Sequence, residues 1–451
     1  MGDNRCWCAA PLAYLISGQA GRRADDIAFQ HMGSGSAAGG LNRLQSLVFD
    51  RAANCTPPIH VYVLLTLGSL RAPSFGGALK SRPTPTAGEI KAFYYGKGAA
   101  RVEVVLLNST TSQHNFEMMK ADVIRVGSRA YFTSPSRWWQ HVVTSIDVQA
   151  SIANTGKPMA ATYVNQRWAI AREVWQRHLV YRFAHERSKR AKYRFFLYVR
   201  EDTAWLSPPA QLASFASTHL CSPPSSNPVA IVDENCGWGS YHDKVFLVNV
   251  AAGDALFGRT YGTFVARLVA WLQLATLPPD SPLRPLPLPR IKSLPAMAQQ
   301  GTLGGLIGLL VRMQGQQRVD SMQSEYILSV WLHHAQASVH MKPFHRTDVR
   351  QPQGSTSWCI PHLYWQCVDH DARARSRLPK CTDPPVRSIR VDHRGHQRAK
   401  STGKRGLLPT SRRPLAVALA GAGDSRGDTD TQDTSALKRA SSTPANELKA
   451  N

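Results

Sequence analysis

The sequence predicts an α/β fold, a Rossmann-like mixed or parallel sheet flanked by helices. Short runs rich in Val, Ile, Leu and Tyr recur along the first half of the chain, as buried strands require. An amphipathic helix directly precedes one of these runs. Strands also alternate with helices, and that alternation is typical of a sheet covered on both faces.

Six apolar runs carry the strand prediction. They are Pro11–Ser17, Ile59–Thr66, Arg101–Leu107, Tyr193–Val199, Val229–Val232 and Val245–Val250. Tyr193–Val199 is continuously apolar and aromatic apart from Arg194, as a central strand should be. The Gly-rich stretch 33–40 and the Pro- and Gly-rich stretch 71–88 are predicted loops.

The helix before the central strand is the clearest in the sequence. Apolar side chains recur there at steps of three or four residues: Trp168, Ala171, Trp175, Leu179 and Phe183. Polar residues lie between them, including Glu173 and Arg177. This spacing predicts an aromatic stripe packed on the sheet. Two more helices are predicted over Ala255–Ala275 and Met322–Ala335.

Length and charge narrow the class of protein. The chain has 451 residues, 43% of them hydrophobic, with 54 Lys and Arg against 30 Asp and Glu and a net charge of +24. This composition excludes a wholly disordered chain, and the length excludes a small module that depends on disulfides for its core. The basic excess predicts an anionic partner: phosphates, nucleic acid or a membrane surface.

Composition also divides the chain. Residues 1–350 form the predicted α/β domain, with an N-terminal half over 11–150 and a half carrying the candidate site over 151–350. Residues 351–370 are an extension rich in Cys, His and Trp. Residues 371–451 carry 17 Lys and Arg against 8 Asp and Glu, a net of +9. This basic, low-complexity tail is predicted to be disordered and available to nucleic acid.

Targeting signals are sparse. The apolar run Cys6–Ile16 is too short to span a membrane, and the run from Tyr261 to Leu277 is interrupted by Arg267. No membrane segment is therefore predicted. Two glycosylation sequons begin at Asn54 and Asn108. The compartment stays open: the Golgi or secretory pathway if an anchor precedes Met1, and the cytoplasm otherwise.

The eight cysteines lack a CxxC pair and predict neither a dense disulfide framework nor a standard zinc finger. Cys359, His362, Cys367 and His370 have a spacing able to hold Zn²⁺. Neighbouring aromatic residues favour simple packing instead.

The first candidate site is Arg200-Glu201-Asp202, directly after the predicted central strand. Ligands of α/β sheets bind outside the carboxyl ends of the strands. A carboxylate there can hold Mg²⁺ or Mn²⁺, and Arg200 can bind a phosphate with two hydrogen bonds. The alternative is a solvated loop with a surface ion pair.

The second candidate lies between two predicted strands and ends in His242-Asp243-Lys244. Gly237 and Gly239 allow a ligand to approach the backbone closely. His242 or Asp243 offers a base, and Lys244 a cation. The alternative is a glycine-rich turn whose charges face water.

Several short motifs follow one another along Pro11–Arg350. They are Leu15-Ile16-Ser17-Gly18-Gln19, Arg200-Glu201-Asp202, Gly239-Ser240-Tyr241-His242-Asp243-Lys244, Arg259 and Ser324-Glu325-Tyr326. Their order resembles that in a family of glycosyltransferase-like proteins of algae and other protists. The resemblance implies a glycosyltransferase-A-type fold and a nucleotide-sugar donor. It also implies a glycan or protein acceptor and a divalent metal, Mn²⁺ or Mg²⁺.

The resemblance assigns roles to residues of this chain. Donor and diphosphate binding falls to Gly18, Gln19, Arg200, Asp202 and Lys244. Glu201 and Asp202 would hold the metal, and Asp243 and Glu325 would be catalytic. Members of that fold usually carry Asp-x-Asp, which Glu201-Asp202 replaces here.

Two other functions remain open at the level of sequence. A basic nucleic-acid-binding protein would account for the charge, although the sequence contains no known nucleic-acid module. A catalytically inactive glycosyltransferase-like scaffold would account for the missing Asp-x-Asp.

Overall fold

The structure is a computed structural model. It describes residues 6–30, 32, 41–67, 85–130, 133–138, 160–187, 192–209, 211–221, 227–233, 243–274, 328, 331–332, 335–342, 344–349, 357–360 and 378–381. For residues 160–170 and 270–274 it describes the backbone alone. All of these residues belong to the first of two compact units, Met1–Val386.

Nine strands are described. They are β1 (Leu12–Gln19), β2 (Ile59–Thr66), β3 (Arg101–Leu107), β4 (Phe195–Arg200), β5 (Thr203–Trp205), β6 (Val229–Asp233), β7 (Val245–Asn249), β8 (Ser338–Lys342) and β9 (Arg346–Asp348).

The described helices lie before and between these strands. They are α1 (Cys6–Ala9), α2 (Arg43–Val48), α3 (Ala87–Gly96), α4 (Ser109–Ala130), α5 (Ala160–Arg187), α6 (Leu212–Leu220), α7 (Val250–Gly253) and α8 (Tyr261–Leu274). A 3₁₀ turn, Ala20–Arg22, follows β1, and a π-helical turn, Asp254–Gly258, follows α7.

The main sheet has seven strands in the order β3-β2-β1-β4-β7-β6-β8. β7 pairs antiparallel with both of its neighbours, whereas the other pairs are parallel. The carboxyl ends of β1, β4 and β6 and the amino end of β7 therefore meet at one edge. β5 and β9 form a separate antiparallel pair just beyond the end of β4.

Alternate side chains of the main sheet enter two separate cores. On one face, Phe196 and Tyr198 of β4 pack with side chains of α4, α5 and α8. On the other face, Phe195, Leu197 and Val199 pack with α1, α2, α3 and α6. Burial on both faces explains why the strand sequences are continuously apolar instead of alternating.

The α/β class predicted from the sequence is confirmed, and all six predicted strands are present. The aromatic stripe of α5 is confirmed at Trp175 and Phe183, which are buried. The polar face of α5 departs from expectation, because Arg177 is buried as well. The helix predicted from Ala255 begins at Tyr261, after the π-helical turn.

Several predictions fall outside the described residues. The Gly-rich stretch 33–40 belongs to this group, as does the predicted tail 371–451 apart from residues 378–381. In those four residues Leu378 is buried and Cys381 forms a disulfide with Cys359, so this segment does not belong to a disordered tail. Of the helix predicted over Met322–Ala335, only positions 328 and 331–332 are described as helical. Among the described helices, none is both long and apolar enough to cross a membrane, in agreement with the sequence.

Six cysteines pair in three disulfides: Cys6–Cys221, Cys8–Cys55 and Cys359–Cys381. The sequence did not predict these bridges, because the partners of the first are 215 residues apart. The zinc hypothesis is wrong for Cys359, since a cysteine bridged to another cysteine is not a thiolate ligand. Its other members, His362, Cys367 and His370, lie outside the described residues.

Candidate functional site

The candidate site lies at the edge where β1 and β4 end. Glu201 and Asp202 form the turn that leads from β4 into β5. The backbone amide of Arg200 donates to the carbonyl of Lys244 at 2.9 Å, which joins this turn to the start of β7. Fold topology thus brings together both motifs that the sequence singled out.

Arg200 binds the carboxylate of Asp202 with two hydrogen bonds. Its Nε donates to Oδ1 at 2.5 Å and its Nη2 to Oδ2 at 2.6 Å. Nη2 also reaches Oδ2 of Asp348 at 3.2 Å. Burial by itself would raise the pKa of Asp202, but the charges of Arg200 and Arg22 and the hydrogen bonds from Arg200 together hold the pKa below its ordinary value.

Asp348 is the centre of a larger ion network. Its Oδ2 accepts a hydrogen bond from Nζ of Lys244, and its Oδ1 accepts one from Nη1 of Arg346 at 2.7 Å. Burial opposes ionisation, yet the cations, Lys244 first and then Arg200 and Arg346, lower the pKa of Asp348 to about 2. Asp348 is therefore a carboxylate at neutral pH.

Arg346 extends the network to the end of β6. Its Nε donates to Oδ2 of Asp233 at 2.6 Å, and Asp233 is 1% exposed. Arg346 and Asp348 are two residues apart on β9 and so project from the same side of that strand. Three carboxylates, Asp202, Asp233 and Asp348, are thereby matched to three cations in the protein interior.

Glu201 differs from its neighbour in what surrounds it. Its Oε1 accepts a hydrogen bond from the amide of Gln19 at 3.2 Å, whereas its buried Oε2 has no hydrogen-bond partner among the described residues. Burial, with the adjacent charge of Asp202, raises the pKa of Glu201 to about 7. The side chain therefore exchanges a proton near neutrality.

Gly18 makes room for this carboxyl group. Its φ is +150°, and a Cβ built on it would lie 2.0 Å from both Cδ and Oε2 of Glu201. A side chain at position 18 therefore cannot coexist with Glu201 in its present place. Gly18 belongs to the site because it lets β1 approach the turn after β4.

The last residue of β1 and an arginine just after it complete this part of the site. Gln19 has a buried Oε1 without a hydrogen-bond partner among the described residues. Arg22, in the 3₁₀ turn, places Nη2 3.6 Å from Oδ2 of Asp202, and its side chain is 22% exposed. Arg22 is thus the cation of this group that is most accessible to a ligand.

Asp243 lies in a second ion cluster near β4. Arg177 of α5 donates through Nη2 to Oδ2 of Asp243 at 2.6 Å and to Oε1 of Glu173 at 2.5 Å. The Arg177 guanidinium also lies over the ring of Tyr198, 5.2 Å from its centroid. Tyr198 in turn hydrogen-bonds Ser17 of β1 through its hydroxyl, at 3.1 Å.

The structure therefore groups most of the residues chosen from sequence. Gly18, Gln19, Arg200, Glu201, Asp202 and Lys244 lie together, and Asp243 is adjacent to Lys244 in sequence. Lys244, expected to face a ligand, is 2% exposed and bound to Asp348. Glu325 lies outside the described residues.

Sequence reasoning assigned no role to six charged residues of the two clusters. They are Arg22, Glu173, Arg177, Asp233, Arg346 and Asp348. Asp233 was the most accessible to prediction, because it directly follows a predicted strand. Arg346 and Asp348, in a short charged segment, gave no signal before their partners in the sheet were known.

The candidate site contains carboxylate oxygens of the kind that bind a divalent metal. Within the described ranges, His, Cys, Asp and Glu side chains do not form a group of three suited to a metal ion. Glu201 Oε2 is an unpartnered acceptor of the kind that hard cations prefer. Both oxygens of Asp202, however, are bonded to Arg200.

No model of a known protein family matches the chain, and a search of curated proteins finds no significant similarity.

Proposed function

We propose that this protein is a glycosyltransferase that moves a sugar from a nucleotide-diphosphate donor to a glycan or protein acceptor. The observation that carries the proposal is the position of Glu201 and Asp202. They end the central parallel strand β4 and lie beside the accessible cation Arg22. This edge is where α/β sheets bind their ligands.

The sheet supports the finer fold assignment within the proposal. A mostly parallel seven-stranded sheet has one reversed strand, β7, next to the strand that carries the carboxylates. A small second sheet, β5 with β9, follows those carboxylates at once. This arrangement is consistent with the glycosyltransferase-A-type fold that the motif order resembles.

The cations supply the chemistry that sugar transfer needs. When the bond between the sugar and the diphosphate breaks, negative charge develops on the leaving group, and fixed cations nearby stabilise it. Arg22 is 22% exposed and makes one long ionic contact in the described structure, so it can turn toward a diphosphate. Arg200 is held by Asp202 and Asp348 and would contribute its charge from its present place. Asp243, fixed by Arg177, is the carboxylate that we assign to the acceptor side.

A divalent metal remains part of the proposal. Glu201 would hold it through Oε2, and Asp202 would join only if Arg200 released its carboxylate. The metal would neutralise charge on the diphosphate. We assign the same task to Arg22 and Arg200 and no step to a metal.

Thermal-shift titration with UDP- and GDP-sugars, with and without Mn²⁺, tests the proposal. A donor that binds the folded state raises the melting temperature, and the shift grows with the logarithm of the donor concentration above the dissociation constant. Arg22→Gln should abolish most of this shift with little loss of intrinsic stability, because Arg22 makes one long ionic contact in the described structure. Wild-type protein that no donor stabilises would contradict the proposal.

Arg23→Gln is the matched control. Arg23 has the same side-chain exposure, 22%, but its Nη1 lies 3.1 Å from Asp25 instead of Asp202. The control should keep the donor shift. Equal losses in the two variants would point to a general effect of surface charge.

An inactive binding scaffold is the second candidate, favoured by one observation. Both oxygens of Asp202 are bonded to Arg200, so the carboxylate already has a cation. Assay of nucleotide release in the presence of acceptor glycans separates the two. An enzyme loses release but keeps the donor shift in Asp243→Asn, whereas a scaffold shows the shift and no release in either form.

A further inference from the structure

The described cysteines are all bridged, and the bridges hold the outer parts of the fold. Two of them fix α1, a helix of four residues that is too short to be stable alone. Cys6 is joined to Cys221 after α6, and Cys8 to Cys55 ahead of β2. Between these cysteines, Trp7 is fully buried and donates from Nε1 to the carbonyl of Val48 at 3.0 Å.

Backbone hydrogen bonds hold cysteines of two of the bridges independently of sulfur. Cys55 pairs with Asp50 through two bonds of 2.9 and 3.1 Å. The amide of Cys381 donates to the carbonyl of Ile360 at 2.8 Å, next to Cys359. The Cα separations of the three bridges, 5.8, 6.0 and 4.9 Å, lie in the range that disulfides require.

Stable disulfides of this kind are a property of proteins folded in oxidising compartments, because cytosolic reductants keep thiols reduced. Bridges across 215 and 47 residues also restrict the unfolded chain strongly. The fold therefore makes use of conditions found in a secretory lumen. In that lumen, an exposed Asn-x-Ser/Thr sequence is a substrate for glycosylation.

Asn108, in the sequence Asn108-Ser109-Thr110, meets the structural requirements. It lies in the turn between β3 and α4, and all three residues are exposed. Its Oδ1 accepts a hydrogen bond from the amide of Thr111 at 2.6 Å and so caps α4. Its Nδ2, the atom that carries an N-linked sugar, has no partner among the described residues.

We propose that the chain folds in an oxidising lumen and that Asn108 carries an N-linked oligosaccharide there. The cap of α4 survives this modification, because it uses Oδ1 and the sugar is attached to Nδ2. The site thus accepts a glycan without any change to the fold.

Transfer of the oligosaccharide exchanges one bond at its anomeric carbon for another. Nδ2 forms a bond to the anomeric carbon of a lipid-diphosphate-linked oligosaccharide, and the bond from that carbon to the diphosphate oxygen breaks. The lipid diphosphate leaves with the electron pair, and Nδ2 loses one proton. Each disulfide forms when two thiols give two electrons and two protons to the thiol-oxidising proteins of the compartment.

Secretion of the full chain from insect cells behind a cleavable signal peptide tests the glycan. Asn54→Gln serves as the background, so that one sequon remains. On treatment with peptide N-glycosidase, this protein should lose the mass of one N-linked glycan. Thr110→Ala should abolish that loss and Thr110→Ser should restore it, since the serine sequon is still valid. A background chain that the glycosidase leaves unchanged would overturn the site.

Asn108→Asp separates the sugar from the cap. Aspartate keeps the acceptor oxygen for Thr111 but has no amide nitrogen. The variant should be unglycosylated. Because peptide N-glycosidase leaves an aspartate where it removes a glycan, this variant has the same sequence as the enzymatically deglycosylated background chain. Asn108→Ala, which also lacks the capping oxygen, should melt at a lower temperature than either. Retention of the glycan in this variant would place it at another residue.

A separate experiment tests whether the chain folds in an oxidising lumen. Non-reducing peptide mapping of the secreted chain should recover Cys6 linked to Cys221, Cys8 to Cys55 and Cys359 to Cys381. Reduction should lower the melting temperature by several degrees or more. Free thiols at these six positions, or a melting temperature that reductant leaves unchanged, would overturn the inference of an oxidising compartment.

Discussion

Lys244 and Asp348, 104 residues apart in sequence, form a hydrogen-bonded ion pair in which both side chains are almost fully buried. The pair joins the start of β7 to β9 and so fixes the small second sheet against the main one. A buried ion pair that loses one partner leaves an uncompensated charge, which costs far more than the pair itself contributes.

Asp348→Asn should therefore be strongly destabilising. The asparagine removes a negative charge that the buried Lys244 and Arg346 share, whereas the pair of Arg346 with Asp233 remains, and we expect a loss of about 3 kcal/mol in the free energy of unfolding. Chemical denaturation monitored by fluorescence measures it. Glu186→Gln, which breaks the exposed pair with Arg182 (side chains 44% and 31% exposed), should cost less than about 0.5 kcal/mol. Similar losses in the two variants would contradict a special role for the buried network.

Glu201 should make the protein less stable as the pH rises. Its pKa is raised from 4.5 to about 7 in the folded state. Between these values the folded chain keeps a proton that the unfolded chain has lost, so stability falls with increasing pH through this window. Glu201→Gln should remove the effect and be more stable than wild type at pH 8, by up to about 3 kcal/mol, with little difference at pH 4.5.

Unfolding free energies of both proteins at the two pH values measure this difference. Glu117→Gln, on the exposed side of α4, provides the control. The difference in unfolding free energy between this variant and wild type should be the same at the two pH values. A Glu201→Gln variant that is destabilised equally at pH 4.5 and pH 8 would contradict the proton exchange assigned to Glu201.

His178 should make the protein less stable as the pH falls. It stacks on Phe264, with ring centroids 4.5 Å apart, and its Nδ1 is 2.6 Å from the carbonyl oxygen of Phe257. Burial lowers the pKa of His178 from 6.5 to about 3. Below pH 6.5 the unfolded chain therefore takes up a proton that the folded chain does not, and stability falls with decreasing pH.

His178→Phe keeps a ring in the same place but cannot take up a proton. Between pH 7.5 and pH 5, the variant should lose about 2 kcal/mol less stability than wild type does. Its stability at pH 7.5 is lower, because the hydrogen bond to Phe257 is gone. His114→Gln, on the exposed surface of α4, should leave the pH dependence as it is in wild type. An unchanged pH dependence in His178→Phe would show that another group controls it.

The sequence predicted the parts of the fold that depend on local pattern. β2 begins and ends where its apolar run does, because burial on both faces selects those residues directly. β3 also has the predicted bounds, although it is an edge strand in which only Val102 is buried. Arg177 shows the limit of this reasoning. Its spacing predicted a position on the polar face of α5. It is buried instead, because it forms an ion pair with Asp243, which is 66 residues away in sequence.

The residues of the candidate site also divide into those that a local sequence pattern reveals and those that only the tertiary fold brings together. Glu201 and Asp202 could be found because they end a recognisable strand. Asp348 could not, since its role depends on pairing between β5 and β9. That pairing sets Asp348 opposite Thr203, the residue after Asp202, across 145 positions of sequence that carry no shared motif.

Gly18 gives the sharpest test of how β1 and β4 create the site. Gly18→Ala would place a methyl group 2.0 Å from the Glu201 carboxyl at a φ of +150°, which side chains rarely adopt. We expect a loss of about 3 kcal/mol or more, from overpacking and backbone strain together, and a loss of the donor-induced thermal shift. Gly21→Ala is the matched control, because no atom lies within 4 Å of its added Cβ, and it should change stability by less than about 0.5 kcal/mol.

A double variant separates the two causes. Glu201→Ala removes the carboxyl atoms that the new methyl group would meet, so only the backbone strain remains. Gly18→Ala should therefore cost less in the Glu201→Ala background than in wild type, by at least about 1 kcal/mol. Purely additive losses would show that Gly18 is required for its backbone conformation alone and that its contact with Glu201 does not shape the site.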